Sequence, residues 1–230
     1  AIYVNHNLSP SSKDWADFCK SLCSSYLIPI SILSVNAQHI KRQSPEDAAR
    51  NARYNALREA LSSSDCLLTA HHQNDQAETI LLQLFRGSGP KGLCAMPTNK
   101  IFHLSILARP LLNFSREQIR HYALQHQLQW VEDESNQQQI FKRNFLRRSI
   151  LPKLKQQRPG ISKTLFRASQ IQAEAVSILD EVAQQDLILC ELPSKLSAKT
   201  NDWFFQPSLN LTQLKTLSTA RIKNCLQFWL

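Results

Sequence analysis

Short apolar runs alternate along this chain with longer stretches in which large apolar residues return every three or four positions. AIYV at 1–4, ISILSV at 30–35, CLLTA at 66–70 and HLSILARPL at 103–111 are the short runs, each of strand length. Helical patterns separate them: one from about Ser11 to Tyr26, and one opening near Ser44-Pro45 and continuing through EDAARNARYNALREAL. A third follows CLLTA and repeats Ile80, Leu81, Leu84 and Phe85 on one face; a fourth opens at Ser115 and ends near His126. Gly87-Ser88-Gly89 follows the third helix, so it meets the carbonyl end and serves to terminate it, not to cradle phosphate. Repeated βα units predict a Rossmann-like α/β fold, a parallel sheet flanked by helices. From Pro152 onward the pattern is helical without clear strands, with SKTLFRASQIQAEAVSILDEVAQQDLILCEL as one amphipathic stretch. A boundary between Arg148 and Gly160 follows: an α/β domain over 1–150 and a smaller α-helical domain over 151–230.

Charge sharpens this picture. The 230 residues carry a net charge of +9, and residues 142–167 hold KRNFLRR, KLK, Arg158, Lys163 and Arg167 with no acid among them. A solvated helix face could be built this way, but the absence of interspersed acids favours a phosphate-backbone surface. No apolar run approaches the roughly 18 residues that would cross a bilayer, and no signal-peptide pattern opens the chain. The six cysteines are scattered, with one C-x3-C pair and no second pair to complete a zinc site. Reduced, mostly buried thiols in a cytoplasmic protein are expected, Cys66 lying inside an apolar strand. The single methionine is Met96, AIYV opens the chain as a buried strand would, and CLQFWL closes it inside an apolar segment; the chain reads as an internal piece of a longer protein.

Candidate chemistry concentrates where CLLTA gives way to the third helix. Polar residues at the C-terminal end of a parallel strand stand where open sheets bind ligands. Asp75 and Glu78 are three apart, hence neighbours on a helix. At the helical step Asp75 points about 150° from the centre of the apolar stripe and Glu78 about 90° from it. Such a pair at a helix N-terminus suits a magnesium ion or a ligand ammonium group, and equally suits acids that merely decorate a first turn. His71 and His72 lack a further strong ligand at a recognisable spacing, so one is expected under the turn and the other lining the site.

The stretch AHHQNDQAETILLQLFRGSGPKGLCAM resembles the hallmark segment of tRNA(Ile)-lysidine synthetases, members of the N-type ATP pyrophosphatase (PP-loop) superfamily. VNHNLSP, EDAARNARYNAL, ARPLL and WVEDESNQQQIFKRNFLRRSILP agree with that family in order, from Ala1 to about Asp180. The resemblance implies an enzyme that adenylates C2 of the wobble cytidine of isoleucine tRNA with the CAU anticodon, using ATP. The amine of free L-lysine then displaces AMP. It implies ATP and Mg2+ as cofactors, a cytoplasmic location, no membrane, and is compatible with a homodimer. Carried onto this sequence, Asp75 and Glu78 match the acids associated with magnesium, lysine or both, with Arg86 beside the reacting phosphate. His72, Arg109, Arg143, Asn144 and Arg147 fall to substrate or tRNA binding, and His6 to the nucleotide.

Three departures bear on function. The family's Ser-Gly-Gly-x-Asp-Ser turn after its first strand has no counterpart, which implies that this chain alone lacks the pyrophosphate cradle and is inactive without it. Asn5 and Asn7 stand where the family carries Asp and Gly, and Asn74 stands for the first of two Asp residues. Two rivals remain: a non-catalytic tRNA-binding module built on the basic segment, and a tRNA thiolation enzyme, which would need C-x2-C pairs that this sequence lacks.

Overall fold

A computed structural model describes residues 1–7, 9–36, 45–132, 142–192 and 208–230. The backbone divides into two units, Ala1–Glu78 with Met96–Lys163, and Thr79–Ala95 with Thr164–Leu230. The single expected break between residues 148 and 160 therefore differs from the observed division. The end of the third helix and the turn beyond it go with the C-terminal helices, because contacts such as the 2.9 Å Lys91–Asp180 ion pair tie them there.

In the first unit β1 (Ile2–Asn5), α1 (Ser12–Ser25), β2 (Ser31–Ser34), α2 (Pro45–Ala60) and β3 (Cys66–Leu68) follow the expected βα alternation. β1 pairs in parallel with β2, Ile2 opposite Ser31, and β3 pairs in parallel with β5 (Ser105–Ala108), Cys66 opposite Ile106. One strand was not expected: β4 (Asn99–Phe102) runs antiparallel to β5, with Asn99 opposite Ala108. Its NKIF sequence carries two polar residues and only one buried position, so no apolar alternation announces it. His103, at φ 57°, makes the turn that follows. The core of this unit gathers Leu57, Phe102 and Leu107, with Ile2, Val4, Tyr54, Leu61 and Leu67 against them. Burying each large side chain contributes on the order of 1.5–3 kcal/mol. Among the described residues the second edge of β1 and the second edge of β3 carry no strand partner. Leu68 and Ile106 are exposed on the face of the sheet opposite that of the core residues Leu67 and Leu107. Cys66 is also exposed; of the six free thiols only Cys190 and Cys225 are buried. Cys66 shares its exposed face of the sheet with Leu68 and Ile106, which corrects the expectation of mostly buried cysteines.

α5 (Arg116–Gln125) opens with a capping box in which the Ser115 side chain accepts from the Gln118 N–H and the Gln118 side chain accepts from the Ser115 N–H. The basic segment forms α6 (Lys142–Phe145), a π-helical turn (Leu146–Ile150) and α7 (Leu151–Gln157). Pro152 explains the wide turn, since it offers no N–H and its ring crowds the carbonyl four residues back. Residues 133–141, the DESNQQQIF stretch, lie outside the described residues.

α3 (Gln73–Phe85) belongs to both units. It ends in a Schellman motif: the Gly87 N–H bonds the Leu84 carbonyl at 3.0 Å and the Ser88 N–H bonds the Gln83 carbonyl at 3.0 Å, with Gly87 at φ 67°. The helix face differs from expectation. Ile80 and Leu81 are buried, but Leu84 and Phe85 are exposed and Gln76 and Glu78 are buried instead.

The second unit adds α4 (Pro90–Leu93), the 30-residue α8 (Ile161–Cys190), α9 (Leu211–Leu214) and α10 (Thr219–Trp229). A two-residue antiparallel pairing of β6 (Glu191–Leu192) with β7 (Ser208–Leu209), too short to leave a pattern, interrupts the expected all-helical order. Cys190, Leu214 and Cys225 form its core with Leu187, Leu209, Leu217, Ile222 and Leu226. Asp186, fully buried, is held by both Nε and Nη2 of Arg221.

Candidate active site

The site lies in the first unit, where β1, β3 and β5 end and α3 begins. His72 caps α3: the Asp75 N–H bonds His72 Nδ1 at 3.3 Å, and the His72 N–H bonds Asp75 Oδ2 at 3.0 Å. This reciprocal arrangement is a capping box with histidine in the usual Ser/Thr position. It occupies one Asp75 oxygen and aims the other at cations, Arg147 Nη2 at 3.4 Å and Arg143 Nη2 at 4.0 Å. The Asn74 side chain accepts from the Arg116 N–H at 2.9 Å, fastening the start of α3 to that of α5. Gln76 exchanges two hydrogen bonds with the Met96 backbone, at 2.7 and 2.9 Å, and fixes the same turn from the other side.

Glu78 is 1% exposed and bound to two arginines. Arg147 grips it from Nε to Oε1 at 2.7 Å and from Nη2 to Oε2 at 3.0 Å; Arg143 Nε reaches Oε2 at 2.9 Å. The π-helical turn starts between these arginines, and both reach a carboxylate 65 or more residues earlier in the chain. Their pairing explains how a carboxylate can sit inside at all, since a buried charge needs partners and hydrogen bonds. The helical step puts Glu78 on the flank of the apolar stripe, and its burial cannot be read from α3 alone. Asn144 is buried between the two arginines in sequence.

His71 and His6 complete the floor. Burial drives His71 down to about 4, with Arg109, Arg143 and Arg50 adding to the fall and Asp75 opposing it. It is therefore neutral near pH 7, with Nδ1 2.9 Å from the Thr69 hydroxyl. His6 follows β1; burial and then Arg53 lower its pKa, and its buried Nδ1 has no hydrogen-bond partner among the described residues. Asn7 adopts φ 53°, the left-handed region that glycine favours and asparagine tolerates best among other residues. Its N–H bonds the Asn5 side chain at 2.9 Å and its amide bonds Ser34 at 2.8 Å. The two asparagines thus make the turn that the expected Asp and Gly would make.

Arg109 is 5% exposed and bonds the Pro97 carbonyl through Nη1 at 2.6 Å, while its buried Nε has no partner among the described residues. Arg86 lies past the end of α3, exposed, in the other unit, and is not part of this cluster. Three residues missed in the sequence reading join it: Arg50 and Arg53 of α2 hold their guanidinium carbons 5.1 and 5.7 Å from the Tyr54 ring centre, and Tyr54 and Arg50 both act electrostatically on Arg109. The i, i+3, i+4 spacing of Arg50, Arg53 and Tyr54 was the available signal. Among the described residues no group of three or more His, Cys, Asp or Glu could hold a metal ion, and no helix is long and apolar enough to cross a membrane.

Residues 1–154 match the family model described as the PP-loop domain. The tRNA(Ile)-lysidine synthase of Pectobacterium atrosepticum is 46% identical over 187 residues, covering 81% of this chain and 42% of that protein. Those of Nitrosomonas europaea and Pseudomonas putida are 42% and 39% identical across 100% of this chain, and 48% and 52% of their own lengths. The chain spans about half the length of the curated relatives it matches. Among solved structures, the U34-tRNA thiolase NcsA from Methanococcus maripaludis with its [4Fe-4S] cluster superposes with a TM-score of 0.63 at 18% identity, over 76% of this chain and 61% of that one. That likeness is one of fold.

Proposed function

The chain belongs to the PP-loop domain family, and from that premise we propose that its protein joins free L-lysine to C2 of the wobble cytidine of an isoleucine tRNA with a CAU anticodon. ATP is converted to AMP and pyrophosphate, through an adenylated RNA intermediate. The observation that carries this reading is the cluster in which Asp75 faces Arg143 and Arg147 while Glu78 anchors both arginines. The 39–46% identity to tRNA(Ile)-lysidine synthases over most or all of the chain supports it.

Within this reading the two acids divide the work. Glu78, closed off by two guanidiniums, is a positioning residue: it fixes where Arg143 and Arg147 present their positive charge. Those charges stabilise the phosphate of the departing AMP or hold tRNA phosphates. Asp75 is the carboxylate left facing the ligand. It holds the lysine ammonium group and accepts its proton as the amine attacks C2. His71, neutral near pH 7, can bind a polar ligand without adding charge. Magnesium fits here only as one carboxylate arm from Asp75 beside substrate phosphates and water, the mode in which Mg2+ usually binds. When bound it would neutralise charge on the triphosphate.

The split sheet bears on the pyrophosphate turn that this sequence lacks. β1 and β3 each leave an edge unpaired among the described residues, yet Val4 and Leu67 contribute to the same core cluster. We assign a preceding parallel strand and its Ser-Gly-Gly-x-Asp-Ser turn to these edges, completing the α/β domain over 1–150 ahead of the helical tRNA-binding region. A cytoplasmic location belongs to the same reading. The thiolation alternative is disfavoured because the sequence contains no C-x2-C pair. The test is AMP release from ATP by the full-length protein with isoleucine tRNA. Release that requires lysine supports the assignment, and release indifferent to lysine overturns it.

A further inference from the structure

Asp75 stands on a helical turn that is fastened from several sides. The Gln73 N–H meets the Phe114 carbonyl at 2.9 Å, the Asn74 side chain accepts from the Arg116 N–H, and Gln76 exchanges two bonds with the Met96 backbone. The backbone at Asp75 is thereby fixed, and the direction of its carboxylate depends on the side chain's own torsions. His72 governs those. It is the N-cap of α3, because the Gln76 N–H makes the first bond of the helix to the His72 carbonyl, at 3.2 Å. The Asp75 N–H, third in the helix, is one of the donors that an α-helix leaves without an internal acceptor. His72 Nδ1 accepts it at 3.3 Å, and the His72 N–H holds Asp75 Oδ2 at 3.0 Å. An accepting Nδ1 carries no proton, which places the ring proton on Nε2. Nδ1 and Oδ2, two acceptors 3.3 Å apart, are kept together by the two N–H groups they receive. Their side chains are 18% and 14% exposed, so water has little room to take over either bond.

We propose that His72 is a positioning residue for lysine transfer: its Nδ1 occupies the N–H that would otherwise draw the Asp75 carboxylate back onto its own backbone. Acids in a first helical turn are attracted to bare N–H groups, their own included. With the imidazole in place that donor is satisfied, Oδ2 is held by the His72 N–H, and Oδ1 stays toward Arg147 and Arg143 on the ligand side. A serine or threonine cap would bring a hydroxyl that can also donate, offering Asp75 a second way to turn. An imidazole whose proton sits on Nε2 offers none. His72 thus acts through Asp75 and not through a contact of its own with lysine or tRNA. That lysine is the ligand rests on the reading given above; the hold of the cap on Asp75 does not.

Three variants of the full-length protein separate the two ring nitrogens. His72→Asn keeps an acceptor where Nδ1 stands and nothing at Nε2; His72→Gln keeps a polar group near Nε2 and none at Nδ1; His72→Ala removes both. The readouts are kcat and KM for lysine in AMP release with isoleucine tRNA, tRNA affinity, and hydrogen exchange of the Asp75 amide. The expected result is kcat/KM for lysine about 10–100-fold lower in the Ala and Gln variants with tRNA affinity near wild type. Asn, among the best capping residues, should rescue it to within about threefold. The Asp75 amide should exchange about fivefold faster in the Ala and Gln variants and near the wild-type rate in Asn. Activity retained in Gln and lost in Asn would overturn the proposal, since Nε2 would then be the working atom. So would an Ala variant with a fast-exchanging amide and wild-type kcat/KM for lysine, which would make His72 a cap and nothing more. Should the Ala variant fail to fold, the Asn and Gln pair carries the same comparison. A wild-type protein that releases no lysine-dependent AMP refutes the reaction instead; amide exchange then decides the cap alone, and equal rates in wild type, Asn and Gln would overturn it.

Discussion

Each unit buries an acid against arginine, and the two arrangements differ in what they leave over. In the helical unit Asp186 meets Arg221 one to one, beside Cys190, Leu214 and Cys225, and both its oxygens are used. In the α/β unit Glu78 meets two arginines, and Asp75, Arg50, Arg53 and Arg109 stand around them. The first arrangement is closed and the second is open, with surplus charge directed at the ends of the strands. Burial of a charged pair is therefore a poor sign of function. The imbalance of charge around it is the better one.

The strongest way to break this comparison is to remove the open site's ligand-facing group. Asp75→Ala in the full-length protein is expected to lower lysine-dependent AMP formation about 10³-fold or more, the scale on which removing a proton acceptor that also binds the nucleophile acts. tRNA affinity should stay near wild type; near-normal turnover would sink the role given to Asp75. Next come the anchors. Glu78→Gln should cost about 3–5 kcal/mol in urea unfolding, since it leaves two half-buried guanidiniums without their carboxylate; Asp186→Asn should destabilise less, because the Arg221 guanidinium is exposed and stays hydrated. Replacing both partners separates them: Asp186→Leu with Arg221→Met is expected to keep activity with stability near or above wild type. Glu78→Leu with Arg147→Met should keep a folded protein and lose activity. Equal activity in the two double variants would erase the distinction.

Smaller effects sharpen it. Arg143→Ala and Arg147→Ala should weaken tRNA binding and flatten its salt dependence, by about 0.7 in slope for every phosphate that the missing guanidinium had neutralised; an unchanged slope would remove them from the RNA interface. His71 titrates near 4 in the folded chain against 6.5 when unfolded. The unfolded state takes up the proton first, so this contribution is complete above pH 6.5 and is lost as pH falls toward 4. His71→Asn should flatten that part of a melting-temperature profile, and a profile matching wild type would contradict the burial argument. Smallest is Gly87→Ala, expected to cost about 1 kcal/mol because φ there is positive. A melting temperature equal to wild type would show the turn free to rearrange.

What could be read in the sequence was local. The βα alternation, the Ser115 capping box and the Gly87 helix stop each depend on residues within a few positions, and each stands as expected. What escaped depends on distant partners. Glu78 is buried because Arg143 and Arg147 fold back onto it, and no periodicity in α3 contains that information. Leu84 and Phe85 continue the apolar stripe in sequence but not in burial, because the cover over α3 stops a turn before the helix does. β4 went unseen because an edge strand with one buried residue has no stripe to show. Among the site residues Asp75, Glu78, His72, Arg143, Asn144 and Arg147 come together in the first unit, Arg86 does not, and Arg50 and Arg53 beside Tyr54 were read only as part of a helix.

The π-helical turn at Leu146–Ile150 gives the site a particular kind of fragility. A wide turn holds one residue more than the α-helix it interrupts. Deleting a single residue at its start could be absorbed without breaking the helix, leaving an ordinary α-helical rod. Side chains past the turn would keep their phase, but Arg147, inside it, would move from four to three positions after Arg143 and swing by about 100° about the axis. Arg143 would keep its hold on Glu78 while Arg147 turned away. One-codon deletions at the start of this turn should thus yield proteins that fold and persist in the cell as intact chains yet fail at the site, a class of lesion that abundance alone would never reveal.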